Sequence, residues 1–173
     1  MAVGNLELIT NQTTSGQALL DLTNVFTDNY DVYCITSYTF EPTTTQNLGY
    51  RLLDSTSTVI SASEYDWAFL DVKSNTSFVE YRSTTATYMG SLSYSDANGT
   101  QGSGFVLYIY NPYDSSSYTF GQWQDSSFNT GSGSTGRKGI SVHHSAEQIT
   151  GIRFYVGSGT MDFDVSVYGL ASN

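Results

Sequence analysis

Apolar and aromatic residues recur at every second position in short runs along this chain, and Gly, Asn, Asp and Ser separate the runs. The first seven are Leu6 to Ile9, Ala18 to Leu22, Tyr30 to Phe40, Leu48 to Leu53, Tyr65 to Val72, Phe78 to Tyr81 and Tyr88 to Tyr94. Five more follow: Phe105 to Tyr110, Tyr118 to Trp123, Ile140 to His144, Ile149 to Val156 and Met161 to Leu170. Period two sends successive side chains to opposite faces of an extended backbone, so each run predicts a half-buried strand. The helical spacing i, i+3, i+4, i+7 is not sustained anywhere without β-branched, Gly or Ser interruptions.

Turn chemistry stands between the runs: Thr27-Asp28-Asn29, Ser95-Asp96-Ala97-Asn98-Gly99, Asn111-Pro112-Tyr113-Asp114-Ser115 and Gly157-Ser158-Gly159. Asn98-Gly99 and Gly159 supply the positive φ that tight hairpins need. Strands at this spacing without crossover helices predict an all-β fold, an antiparallel β-sandwich of jelly-roll type with roughly ten strands. A short N-terminal arm covers residues 1–5 and a single domain residues 6–173. Gln124 to Gly139, rich in Gly and Ser, reads as the longest loop, tipped by the adjacent cations Arg137 and Lys138.

Composition narrows the function classes. The chain has 173 residues, 6 Lys and Arg against 16 Asp and Glu, and a net charge of −10. The cations are scattered apart from that one pair, so there is no basic stripe for nucleic acid. The apolar runs fall far short of the roughly 20 residues that cross a bilayer as a helix, and no basic-then-apolar leader opens the chain. No membrane partner is expected. With 14 Tyr and 9 Phe the chain can fill a core and is not a disordered acidic tail. Cys34 is the only cysteine, which excludes an intrachain disulfide and suits folding in a reducing cytosol. It is expected to be buried and slow to react with thiol reagents. The sequons at Asn11, Asn75 and Asn98 are read as chance in a Ser/Thr-rich chain.

The chemical motifs are thin. Gly131-Ser132-Gly133-Ser134-Thr135-Gly136 spells GxGxxG, but a strand pattern follows Gly139 where nucleotide binding requires a helix. His143 and His144 on one strand face opposite ways and do not jointly hold a metal. Glu64 with Asp66, and Asp162 with Asp164, each put two carboxylates on one face, as hydrolases and calcium sites do, and are read as solvated polar faces. No catalytic residue, cofactor or metal is assigned. Trp123, at the mouth of the supposed loop and near Asp125, is the tryptophan expected to be exposed and to contact protein or glycan, together with Arg137 and Lys138.

Several segments, in order, resemble a family of virion proteins of tailed bacteriophages. Tyr30-Asp31-Val32-Tyr33 followed by Phe40-Glu41-Pro42-Thr43-Thr44 is similar to that family's early strand and x-Pro-Ser/Thr turn. Tyr65-Asp66-Trp67-Ala68 resembles its Tyr-x-Trp strand, and Phe105 to Tyr110 with Asn111-Pro112 resembles its central strand. Gly151 to Gly159, then Phe163 to Leu170 with Tyr168-Gly169-Leu170, is similar to the closing hairpin. The resemblance implies a non-enzymatic virion structural protein, assembled in the host cytoplasm. It is either a capsid decoration (cement) protein bound to the major capsid protein or a tail-fibre or receptor-binding head recognising a host surface glycan. Strand material starts within a few residues of Met1, leaving no room for a fibre shaft, so decoration is the first expectation. A homotrimer is expected by analogy.

Overall fold

Among the described residues thirteen strands form, most of them where the alternating runs lie, in the order β1 (Leu6–Gln17), β2 (Leu19–Leu22), β3 (Val32–Ser37), β4 (Phe40–Pro42), β5 (Gln46–Asp54), β6 (Tyr65–Lys73) and β7 (Val79–Ala86). The rest are β8 (Gly90–Ser95), β9 (Gly104–Tyr110), β10 (Thr119–Asn129), β11 (Gly133–His143), β12 (Ile149–Tyr155) and β13 (Met161–Leu170). The computed structural model describes residues 5–76, 78–97 and 102–171, and among them there is no helix. The residue 1–4 part of the expected arm, and the Asn98-Gly99 turn with its sequon, lie outside the described residues.

The strands make two antiparallel sheets. The larger has nine strands in the order β1-β13-β3-β9-β10-β11-β6-β7, with β4 also paired to β13; the smaller is β2-β12-β5-β8. The chain passes repeatedly from one sheet to the other, the wound path of a jelly-roll sandwich. Inward positions of both sheets meet in one core containing Phe26, Tyr33, Ile35, Leu48, Tyr50, Leu107, Trp123, Phe154, Phe163 and Val167. Each such side chain removed from water contributes roughly 1.5–3 kcal/mol before ordering costs. Gly159 takes φ 70 in the turn between β12 and β13, as expected from sequence.

The expected loop from Gln124 to Gly139 does not exist. It is the distal half of a long β10–β11 hairpin, paired from Thr119↔His143 to Asn129↔Gly133. Small residues on these strands are required by packing rather than by flexibility. A Cβ on Gly139 would lie 2.2 Å from Cζ2 of Trp123, so the indole lies where a side chain at 139 would stand. The hairpin tip is tied down by Asp96, whose carboxylate accepts from Thr130 N (2.7 Å), Thr130 Oγ1 (2.6 Å) and Asn129 Nδ2 (2.5 Å). Hydrogen bonds from Thr130 hold Asp96 below the usual carboxylate range. Its role is structural.

Candidate functional site

The three residues expected to make contacts are divided by the hairpin. Trp123 is 1% exposed, in the core, edge-on to Tyr50 and tilted against Phe69. It is not a surface contact, because its position in β10 has the same parity as the buried Thr119 and Gly121. Arg137 is also buried, at 8% exposure, facing inward from β11. Lys138, one residue on, faces outward and is exposed. The pair therefore does not form a basic tip, and the two cations belong to different surfaces.

Lys138 stands on the outer face of the large sheet. Antiparallel register aligns outward side chains in rows, and one row runs Leu8, Tyr168, Cys34, Tyr108, Gln122, Ile140, Ala68 and Arg82. The flanking rows carry Tyr110, Phe120, Val142 and Asp66 on one side, and Val106, Gln124, Lys138, Leu70 and Glu80 on the other. Ile140 is 63% exposed and Phe120 43%, with Val106, Tyr108, Leu70, Val72 and Phe128 exposed as well. An antiparallel sheet with one face on a core usually turns a polar face to water. This one presents many apolar side chains interspersed with polar ones such as Gln122, Gln124 and Lys138, and is indented by shallow clefts of about 590 and 560 Å³ that meet at Gln122. Cys34 is buried within its row, as expected, and burial pushes its thiol pKa up.

Arg137 belongs to a second surface, a groove of about 400 Å³ at the margin of the sandwich. Strand β8 is the end strand of the small sheet and packs over β10 and β11, while β6 and β7 carry the large sheet past it. The overhanging inner face is thus left uncovered. Trp67 and Phe69 stack at 5.5 Å between ring centres, and Tyr81 stacks on Phe69 at 5.0 Å. Tyr88 and Tyr94 also line the groove. Its polar end holds Asp71, Lys73, Asn47 and Arg137. The guanidinium donates from Nη1 to Asn47 Oδ1 (2.9 Å) and Ser91 Oγ (2.6 Å), and Nε lies 4.0 Å from Asp71 Oδ1. Its Cζ lies over the rings of Phe69 and Tyr94, at 5.0 and 5.6 Å from their centres. Lys73 Nζ is 3.4 Å from the other Asp71 oxygen.

Behind Arg137, the buried Asp125 accepts a hydrogen bond from the Arg137 backbone N–H, and its second oxygen has no partner. Burial raises its pKa to about 6, against the opposing effects of Ser93 and Arg137. Between the unfolded value near 3.9 and about 6 the folded state then binds more protons than the unfolded chain, so this group's contribution to stability falls as pH rises through that window. A decrease of about 2 kcal/mol from pH 4 to pH 7 is expected from Asp125. Asp125→Asn should remove it in urea melts across that range; an unchanged slope would assign the pH dependence elsewhere.

Glu64, His143 and Glu147 bring ligand atoms within 4.8 Å of one another. His143 is fully buried, Nε2 lying 3.3 Å from Glu64 and 3.5 Å from Glu147, whereas His144 is half-exposed on the other face. A metal-binding imidazole normally donates its second N–H to an acceptor. His143 Nδ1 is buried without one and the ring lies against Tyr65, so the group reads as a hydrogen-bond clamp. The carboxylate pairs of the sequence do not form paired sites: Glu64 lies before β6, and Asp162 and Asp164 are each occupied by backbone N–H and hydroxyl donors.

The groove was readable only in part. Asp71 and Lys73 continue the inward parity of Tyr65, Trp67 and Phe69, and Asp125 and Asn129 continue that of Trp123. Charges on core parity were the available signal. Which strands bring them together depends on the sheet order.

No family model matches the chain, and no curated protein matches it. Among solved structures it is similar to a PL-14 alginate lyase from the marine Aplysia kurodai (TM-score 0.35, 9% identity, 93% of this chain and 80% of that one). It is also similar to a fructosyltransferase from A. japonicus (TM-score 0.29, 12% identity, 98% of this chain and 27% of that one). The VP2 subviral particle protein of infectious bursal disease virus is a third (TM-score 0.14, 10% identity, 98% and 40%). At these scores the likenesses carry no argument about fold or activity.

Proposed function

We propose that this chain is a non-enzymatic structural protein of a tailed-bacteriophage particle, a capsid decoration protein that sits on the major capsid protein and strengthens the shell. The observation behind the reading is the cluster of exposed apolar side chains on the outer face of the large sheet. Clustered exposed apolar side chains on one face mark protein contact sites, since water against Ile140, Phe120, Tyr108 and Leu70 is released on docking. The resemblance of the ordered strand motifs to virion proteins supplies the identity of the partner, and the trimer is part of the same proposal.

Docking through apolar rows differs in its signature from docking through a basic tip. Binding to undecorated shells should depend little on salt, with Lys138 contributing at most about 1 kcal/mol. Phe120→Glu combined with Ile140→Glu is expected to weaken shell binding tenfold or more with the thermal midpoint held, because both side chains are already exposed in the free protein. Quantitative copy number per particle, together with this double variant, tests the reading. A few copies at the tail, or a double variant that decorates as well as the parent, would count against it.

A second reading, a receptor-binding head that recognises a host surface glycan, is favoured by a different observation: the aromatic and charged groove beside β8.

A further inference from the structure

We infer that the groove beside β8 is a binding site for a neutral saccharide, one or two pyranose units of a glycan. The inference deepens the second reading and does not depend on where the chain sits on a particle. The groove's volume of about 400 Å³ lies in the range of roughly 300–1,000 Å³ typical of small-ligand sites. Its walls and its polar end fit the two sides of a sugar. A pyranose has an apolar face of C–H groups and a rim of adjacent hydroxyls.

The C–H face needs a flat aromatic surface. Tyr81 has one face stacked on Phe69 and is still 42% exposed, which leaves its other side available. Trp67, on the floor, is held between Phe69 and Tyr88, so the aromatic surface is fixed before any ligand arrives. The hydroxyl rim needs paired acceptors and donors. Asp71 supplies two carboxylate oxygens, and Lys73 and Asn47 lie beside it in the same groove. Arg137, fastened by Asn47 and Ser91 and lying over Phe69, holds the Asp71 end in place.

Charge selects among ligands. Asp71 lies between the two cations, and Asp125 stands behind Arg137, so the groove has no surplus positive charge for a phosphate or a polyanion. An apolar ligand would cover Asp71 and Lys73 without replacing their water. A polyhydroxyl ligand with an apolar face satisfies both halves.

A panel of immobilised neutral and acidic oligosaccharides, followed by calorimetric titration of the best one, tests the inference. Binding to a neutral oligosaccharide is expected. Tyr81→Ala and Asp71→Asn should each weaken it about tenfold or more, while Leu19→Ala, on the opposite edge strand β2, should leave it unchanged. Tyr81 is exposed enough that its removal should leave the fold intact, which circular dichroism verifies, and Tyr81→Ala should still decorate shells. No binding to any member of the panel, binding to acidic sugars alone, or binding that survives both groove substitutions in folded protein would overturn the inference. Loss of shell binding in the outer-face double variant, with saccharide binding retained, keeps the two readings separable.

Discussion

Trp123→Ala is expected to lower the unfolding free energy by about 3–5 kcal/mol, among the largest losses available to a single substitution in this chain. The indole is 1% exposed and packs on Tyr50 and Phe69, and the chain has glycine at 139 and 90 where its ring passes. A Cβ at either glycine would sit within 2.7 Å of the ring. Gly139→Ala should therefore also destabilise, by about 1–3 kcal/mol, through overpacking rather than a cavity. The two mechanisms are opposite in sign of volume, so the double variant should lose less than the sum of the singles. Guanidinium melts followed by far-ultraviolet circular dichroism measure all three. Strict additivity would show that Trp123 and Gly139 do not share the space assigned to them.

Arg137→Ala should cost about 3–5 kcal/mol, because it leaves the buried Asp125 without its cation and the buried Asp71 with Lys73 alone. The loss should be larger at pH 8 than at pH 5, since Asp125, with its pKa raised to about 6, is protonated at the lower pH and then needs no counter-charge. Arg137→Lys should recover little. The planar guanidinium reaches Asn47 and Ser91 while lying across Phe69 and Tyr94, and a single ammonium cannot do both. A lysine variant with the parent's stability would reduce Arg137 to a simple charge.

The fold class was legible because most strands have one face on the core, and that asymmetry writes itself as alternation, as in Phe105 to Tyr110 or Leu48 to Leu53. The parts that were missed lack it for physical reasons. The second half of β1, Thr10 to Gln17, is an edge strand exposed on both faces and so carries no apolar period. The far half of the β10–β11 hairpin is small and polar because its inner positions meet the indole of Trp123, the carboxylate of Asp125 and the guanidinium of Arg137 instead of an apolar layer. Trp123 and Arg137 were named from sequence for reasons of exposure that do not hold. Arg137 belongs to a candidate site nonetheless, because Asp71, Tyr81 and Tyr94 come to it from β6, β7 and β8, and only the sheet order brings these strands together.

The pairing of β1 with β13, from Leu6↔Leu170 to Gln17↔Met161, bears on the order in which the chain can fold as it is made. Closing so long a loop yields no reward until both strands exist, and β13 leaves the ribosome long after β1. During that interval β1 is an unpaired strand with nothing to cover it, the condition in which sheets recruit neighbouring chains. Its run of Thr, Asn, Gln, Ser and Gly from Thr10 to Gln17 keeps the waiting segment hydrated and poor at pairing with itself. The polar composition that hid half of this strand from its own periodicity is thus what suits it to leaving the ribosome before its partner β13 and pairing with it late.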